Sequence, residues 1–327
     1  MMQKNAWART WARSRALQVL IITTAALITL AALESAGQDP SDLCEADIAF
    51  TFEASFGGGR SHQVYQTLDG ALLFEAPLAI NTDGAPNSYH PRGRPAGALN
   101  TVCNGVNIYV PPDYRERVDY RQCSRLIALF NQARDAQWLG EGVPRVDWYG
   151  IASVGEGEPE RYLPCIVEEG PYAGYFVSTT ALLADASADR CSQERYVNSL
   201  TVPAYVVPGR SDFGRFGARI GDVGVAFNPN NGISSPFVIG DVGPTFHLGE
   251  GTLALAWHLL ETAPIEVPTR VDVANAQISN DLRIVILPGD PMRSPITGDQ
   301  VRNAVEARLA EWGTSERLDA CLNRSLP

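Results

Sequence analysis

Asp241 and Glu250 are the residues of this chain best suited to acid and base chemistry. Asp241 follows the apolar run Phe237-Val238-Ile239-Gly240, and Glu250 stands between Gly249 and Gly251. Fully extended, the nine residue steps from Asp241 to Glu250 would hold the two carboxylates about 30 Å apart. Gly243-Pro244 is a strong turn signal, however, and Gly249 frees the backbone again, so the two acids can face each other. Desolvation by the preceding apolar run raises the pKa of Asp241. Leu253-Ala254-Leu255-Ala256-Trp257-His258-Leu259-Leu260 reads as a mostly buried helix, which puts Glu250 at or just before a helix start, where the macrodipole favours the ionised form. One carboxyl that keeps its proton beside one that loses it is the arrangement glycoside hydrolysis needs. The plainer readings are a turn-forming Asp beside Gly-Pro and a Glu that caps a helix. His247, between the two acids, allows a third, an Asp/His/Glu metal site. His258 is the only other histidine near it in sequence and falls on the buried helix, so the pattern calls for no metal and no cofactor.

Asp83 lies in Asn81-Thr82-Asp83-Gly84-Ala85-Pro86-Asn87. There it is either a turn residue capping its own backbone or a cleft carboxylate that takes an ammonium group of a bound polymer. Asp83 and His247 are the expected substrate-binding residues beside the catalytic pair Asp241 and Glu250. Trp138, Trp148, Tyr149 and Tyr172 could stack on sugar rings, although aromatic residues in such a stretch are more often core.

The elements that must position these residues read as mainly β, a single barrel-like core decorated by about three peripheral helices. Short apolar runs bounded by glycine and proline include Leu72-Leu73-Phe74, Asn107-Ile108-Tyr109-Val110, Arg145-Val146-Asp147-Trp148-Tyr149, Tyr175-Phe176-Val177-Ser178-Thr179-Thr180, Tyr205-Val206-Val207, Val223-Gly224-Val225-Ala226-Phe227, Phe237-Val238-Ile239 and Arg283-Ile284-Val285-Ile286-Leu287. Helical spacing of apolar residues appears over 123–136 and 300–312, and the third helix follows Glu250.

The first fifteen residues carry Lys4, Arg9, Arg13 and Arg15 with no acid, and an apolar run extends from Leu17 to Leu33. This is an export signal, expected to end at Ala36, with an uncleaved anchor as the alternative because Glu34 is a poor cleavage-site residue. Residues 37–71 read as a polar lead-in. The catalytic body occupies 72–327, with an insertion at about 92–170. All six cysteines follow the signal, an even count that argues for three disulfides in a secreted or periplasmic protein. Fifteen connectivities are possible, and sequence neighbours suggest Cys103 with Cys123 and Cys165 with Cys191. The formal charge of −11 argues against nucleic acid as a partner and favours a cationic polymer. The expected partner is a polysaccharide, bound by a monomer, with a membrane involved only if the N-terminal segment stays attached.

Five segments, in order along the chain, resemble the fungal-type chitosanases of glycoside hydrolase family 75. Asp83-Gly84-Ala85-Pro86-Asn87-Ser88-Tyr89-His90-Pro91 is similar to a characteristic segment of that family, and Tyr175-Phe176-Val177-Ser178-Thr179-Thr180 to one of its strands. The others are Val202-Pro203-Ala204-Tyr205-Val206-Val207-Pro208, the run from Gly221 through Asp241 to Glu250, and Ile284-Val285-Ile286-Leu287-Pro288-Gly289. The likeness covers residues 72 to about 315. It implies an endo-acting, inverting hydrolase of chitosan whose essential acids are Asp241 and Glu250. The 92–170 insertion has no counterpart, and Asn81 stands where the family often has an acidic residue. The Gly-Asp-Val-Gly and Gly-Glu elements also look like the catalytic loop of double-psi barrels, an analogy of fold rather than of function. Two rivals are a non-catalytic carbohydrate-binding or cell-envelope protein on the same fold, and a peptidoglycan-cleaving hydrolase.

Overall fold

The computed structural model describes residues 43–55, 59–155 and 162–323. The export signal lies outside the described residues. Six strands close into a barrel: β3 (Leu72–Ile80), β9 (Ala204–Pro208), β10 (Val223–Asn228), β11 (Ile233–Gly243), β12 (Glu250–Gly251) and β13 (Ile278–Leu287). They follow the order β3-β12-β9-β11-β10-β13, and pairing of β13 with β3 completes the ring. β9 with β11 and β12 with β3 run parallel; the other pairs are antiparallel.

Period-2 alternation sorts the strand residues to two faces. Phe74, Tyr205 and Phe237 belong to one buried cluster, with ring centroids 6.1 Å apart for Phe74–Tyr205 and 5.3 Å for Tyr205–Phe237. They come from β3, β9 and β11, which are not all neighbours, and such rings meet only inside the ring of strands. Burying each stabilises the fold by roughly 1.5–3 kcal/mol. Leu253, Leu255, Trp257 and Leu259 of α3 (Leu253–Leu259) extend the same cluster. The alternate residues, Val223, Val225, Val238, Val285 and Leu287, form a second cluster outside the barrel with Val301 and Val305 of α5 (Gly298–Trp312).

The three expected helices are present as α1 (Cys123–Asp135), α3 and α5. Three others were not expected: α2 (Asp212–Arg215), α4 (Arg270–Asn275) and α6 (Thr314–Asn323). The stretch read as a polar lead-in supplies a hairpin, β1 (Ala46–Glu53) and β2 (Ser61–Thr67), and β2 pairs with the first half of β3. Its polar residues are interspersed with buried Phe52 and Val64, which join the barrel cluster, and Tyr65, which joins the outer one. Residues 175–180 form isolated bridges rather than the expected strand. Their backbone groups are divided among three segments: Phe176 N donates to Tyr89, Val177 N to Cys165 and Thr179 N to Gly150.

Within 92–170, β4 (Val106–Tyr109) pairs with β5 (Arg117–Val118) and β6 (Arg145–Trp148), α1 packs on them, and β7 (Ser153–Val154) pairs with β8 (Leu163–Pro164). Trp138, Trp148, Phe130 and Phe176 form a network of ring contacts, so the two tryptophans serve mainly as core. Tyr89, from the segment before the insertion, is fully buried in the same cluster. All three disulfides form: Cys103–Cys123 and Cys165–Cys191, as sequence proximity suggests, and Cys44–Cys321.

Cys44–Cys321 closes a loop of 277 residues, against 20 for Cys103–Cys123. Chain entropy therefore makes it the stronger constraint on the unfolded state. Replacing both Cys44 and Cys321 by Ala is expected to lower stability by about 2–5 kcal/mol, and by more than the Cys103, Cys123 double replacement. Denaturant unfolding of the two variants under non-reducing conditions compares them, and an equal or smaller loss for the Cys44, Cys321 variant contradicts the ranking.

Candidate active site

The site is built around β9. Val206 pairs with Asp241 of β11 on one side and with Glu250 of β12 on the other. Cross-strand partners point to the same face of a sheet. Asp241, Val206 and Glu250 therefore form one row, with about 9–10 Å between the two outer backbones, twice the strand spacing. Glu250 falls just before a helix start, as expected, but it belongs to the short strand β12. Thr252, two residues on, caps α3 by accepting from Leu255 N.

A bulge aims Asp241. Ile239 pairs with Tyr205 and Asp241 with Val206, so Gly240 is an extra residue in β11. In an unbroken ladder, Gly240 would sit opposite Val206 and Asp241 would turn to the barrel interior. The bulge reverses that alternation. A Cβ on Gly240 would stand 2.8 Å from the Ala204 Cβ, too close for any residue but glycine without movement. The Oδ1 of Asp241 accepts from the backbone N–H groups of Ala181 (3.0 Å) and Val242 (2.8 Å). Burial outweighs these two donors and, with the nearby Glu250 charge, pushes the Asp241 pKa up to about 7.

Glu250 is held by His247, whose Nδ1 lies 3.1 Å from Glu250 Oε1. The contact raises the pKa of His247 against the opposing effect of burial. Glu250 Oε2 is buried and has no hydrogen-bond partner. It sits against Gly243, where an added Cβ would come within 2.6 Å of it. His247, expected to meet substrate directly, is therefore engaged with Glu250.

Asp83 follows β3, and its turn is capped by a different residue from the one the turn reading supposes. Asn81 Oδ1 accepts from Asp83 N at 2.7 Å, which leaves the Asp83 carboxyl free of that task. Gly84 takes φ 82°, and a Cβ there would run into the Val197 carbonyl at 1.9 Å. The Asp83 carboxyl meets the Tyr89 hydroxyl at 2.6 Å, and the same hydroxyl lies 3.1 Å from the Asn104 carbonyl oxygen. Burial, and then the charges of Asp241 and Glu250, hold the Asp83 pKa well above the usual carboxylate range, with the Tyr89 contact acting against them. A protonated Asp83 can donate to Tyr89 while Tyr89 turns its own proton to Asn104.

The fold thus brings Asp83, Asp241 and Glu250 within electrostatic reach of one another. Asp83 and Asp241 line one small depression with Asn81, Thr180 and Val206. Its volume of ≈ 10 Å³ is room for about one water, so a polymer would lie across it rather than enter it. Among the described residues, no group of three or more His, Cys, Asp or Glu side chains could hold a metal ion. Sequence reasoning missed Tyr89, the Ala181 N–H and Val206. Tyr89 lies six residues from Asp83, in a segment already singled out, but nothing in the sequence shows that its ring is buried in the insertion. No protein-family model and no curated protein matches the chain.

A carboxyl with a raised folded-state pKa binds more protons folded than unfolded between the two pKa values, so its ionisation destabilises the fold as pH rises through that window. For Asp241 the window runs from the ordinary 3.8 to about 7. Asp241→Asn keeps an oxygen for the two N–H donors and removes the titration. Relative to wild type, the variant is expected to gain about 1–2 kcal/mol between pH 4 and pH 8. Unfolding curves at both pH values measure it, and a difference from wild type that does not change with pH refutes the assignment.

Proposed function

We propose that the protein is an exported, endo-acting glycoside hydrolase that cleaves β-1,4-linked chitosan, a glucosamine polymer, with inversion. One observation carries this reading: Asp241 and Glu250 flank Val206 on one face, separated by a single strand. Two strand spacings, about 9–10 Å between backbones, suit an inverting pair, whose carboxyls stand roughly 6.5–9.5 Å apart with a water between base and sugar. The three disulfides fit export to an oxidising compartment.

Asp241 keeps its proton up to about pH 7 and serves as the general acid, protonating the glycosidic oxygen as the bond to the anomeric carbon breaks. Glu250 takes a proton from a water that attacks that carbon from the opposite face. His247 holds Glu250 Oε1 and so orients the carboxylate for that proton transfer. Asp83 faces an ammonium group of the polymer. Burial favours its neutral form, and an arriving cation stabilises its carboxylate, so binding of a substrate amine promotes release of a proton.

Asp241→Asn and Glu250→Gln are each expected to cut release of reducing ends from soluble chitosan by about 10²–10⁴-fold with the fold retained. Failure of the wild-type protein to release ends refutes the hydrolase reading. In wild type, activity should fall as pH rises through about 7, where Asp241 gives up its proton. A profile flat from pH 5 to 8 removes Asp241 from the acid role. Asp83→Asn should lower turnover on highly deacetylated chitosan more than on partly acetylated chitosan, by about tenfold if one charge-assisted contact of roughly 1.5 kcal/mol is lost. Equal loss on both returns Asp83 to a purely structural part.

A further inference from the structure

A second cavity, of ≈ 340 Å³, opens beside the carboxylate row and differs from it in charge. It is lined by Trp148, Tyr149, Thr179, Arg190, Arg195 and Tyr196, with no carboxylate among the described lining residues. Thr179 lines this cavity and Thr180 the depression over Asp241, so the two are neighbours across one short segment. Tyr149 joins them as well: it lines the cavity, and Asp83 is the charge that acts most strongly on its hydroxyl.

The cavity has a fixed floor. Cys165–Cys191 ties the loop that carries Arg190 to the buried cluster of Ala152, Val177 and Tyr196. Arg195 is anchored through one nitrogen, which donates to the Ala186 and Ala188 carbonyls, leaving its other nitrogens available. Arg190 is exposed, and its guanidinium has no hydrogen-bond or ion-pair partner among the described residues. Both arginines line this cavity together with Tyr196, on whose hydroxyl they act electrostatically. The nearest acids serve their own turns: Asp189 Oδ1 accepts from Cys191 N, and Asp185 Oδ1 from Ser187 N. Arg195 lies within electrostatic reach of Asp185, whereas the Arg190 guanidinium has no carboxylate partner among the described residues, in a chain of net charge −11.

We propose that this cavity is a subsite for a carboxylate carried on a sugar ring of the bound polymer. A guanidinium fork matches a carboxylate with two parallel hydrogen bonds, and aromatic side chains offer flat apolar surface to the ring that bears it. The inference rests on the reading of the neighbouring site as one that takes an amino sugar polymer. It narrows the substrate to a polymer with both charges: amines for the carboxylate row and carboxylates for the arginine cavity.

The test uses the full-length chain carrying Asp241→Asn, so that cleavage does not interfere with binding. Two probes are titrated by tryptophan fluorescence, a glucosamine oligosaccharide and the same oligosaccharide oxidised at C6 to carboxylates. The oxidised probe is expected to bind about tenfold more tightly at low salt, against the overall negative charge of the protein. Arg190→Gln on the same background should reduce that preference to less than about twofold, and Arg190→Lys should restore part of it. Equal affinity for the two probes, no binding of either, or a preference that survives both Arg190→Gln and Arg195→Gln overturns the proposal. Failure of the hydrolase reading is seen separately: the wild-type chain then releases no reducing ends from either probe while the binding preference persists.

Discussion

The placement of the two central acids of the candidate active site depends on the pairing of one short strand. β9 contributes five residues, and its register with β11 on one side and β12 on the other sets Asp241 and Glu250 opposite the same valine. A slip of one residue on either side would send one carboxylate to the barrel interior, because side chains alternate faces along a strand. The interior is filled by Tyr205, Phe74 and Phe237, which leave no room for a charged group and so hold the register in place. Core packing and site geometry are therefore the same constraint seen from the two faces of the sheet.

Crowding three carboxyl groups into one partly desolvated region has an electrostatic consequence. Burial and mutual repulsion favour protonation of at least one member, and Asp83 and Asp241 both shift upward. The surroundings then separate their roles. Asp241 receives two backbone N–H donors, Asp83 faces a tyrosine hydroxyl, and Glu250 faces an imidazole. The protein places unlike partners around like groups, which is how chemically identical side chains come to differ in proton affinity.

The insertion is part of this arrangement. Tyr89 is buried in the insertion's own core while its hydroxyl reaches Asp83, so the packing of α1, β4 and β6 fixes the position of a polar atom at the site. The same insertion supplies Trp148 and Tyr149 to the cavity that holds the two arginines. Two disulfides within or beside this layer, Cys103–Cys123 and Cys165–Cys191, hold segments that have little regular secondary structure of their own.

The sequence by itself showed five of the six barrel strands, three of the helices and the disulfide-forming character of the chain, and it singled out the two acids that the fold sets in one row. These are local properties: periodicity, turn residues and the count and spacing of cysteines are all visible within short windows. It misread residues 46–67, whose polar residues are interspersed with buried ones, and residues 175–180, whose apolar pattern looks like a strand but whose backbone partners lie on three separate segments. Nor did it separate Asn81 from Asp83 as the residue that caps the turn, since both are competent to do so. Tertiary structure alone decided that Gly240 bulges, that Tyr89 reaches Asp83 and that Arg190 and Arg195 share a cavity. Each of those facts depends on residues far apart in the chain meeting across strands or loops. Such meetings are set by how whole elements pack, and no local window of sequence contains them.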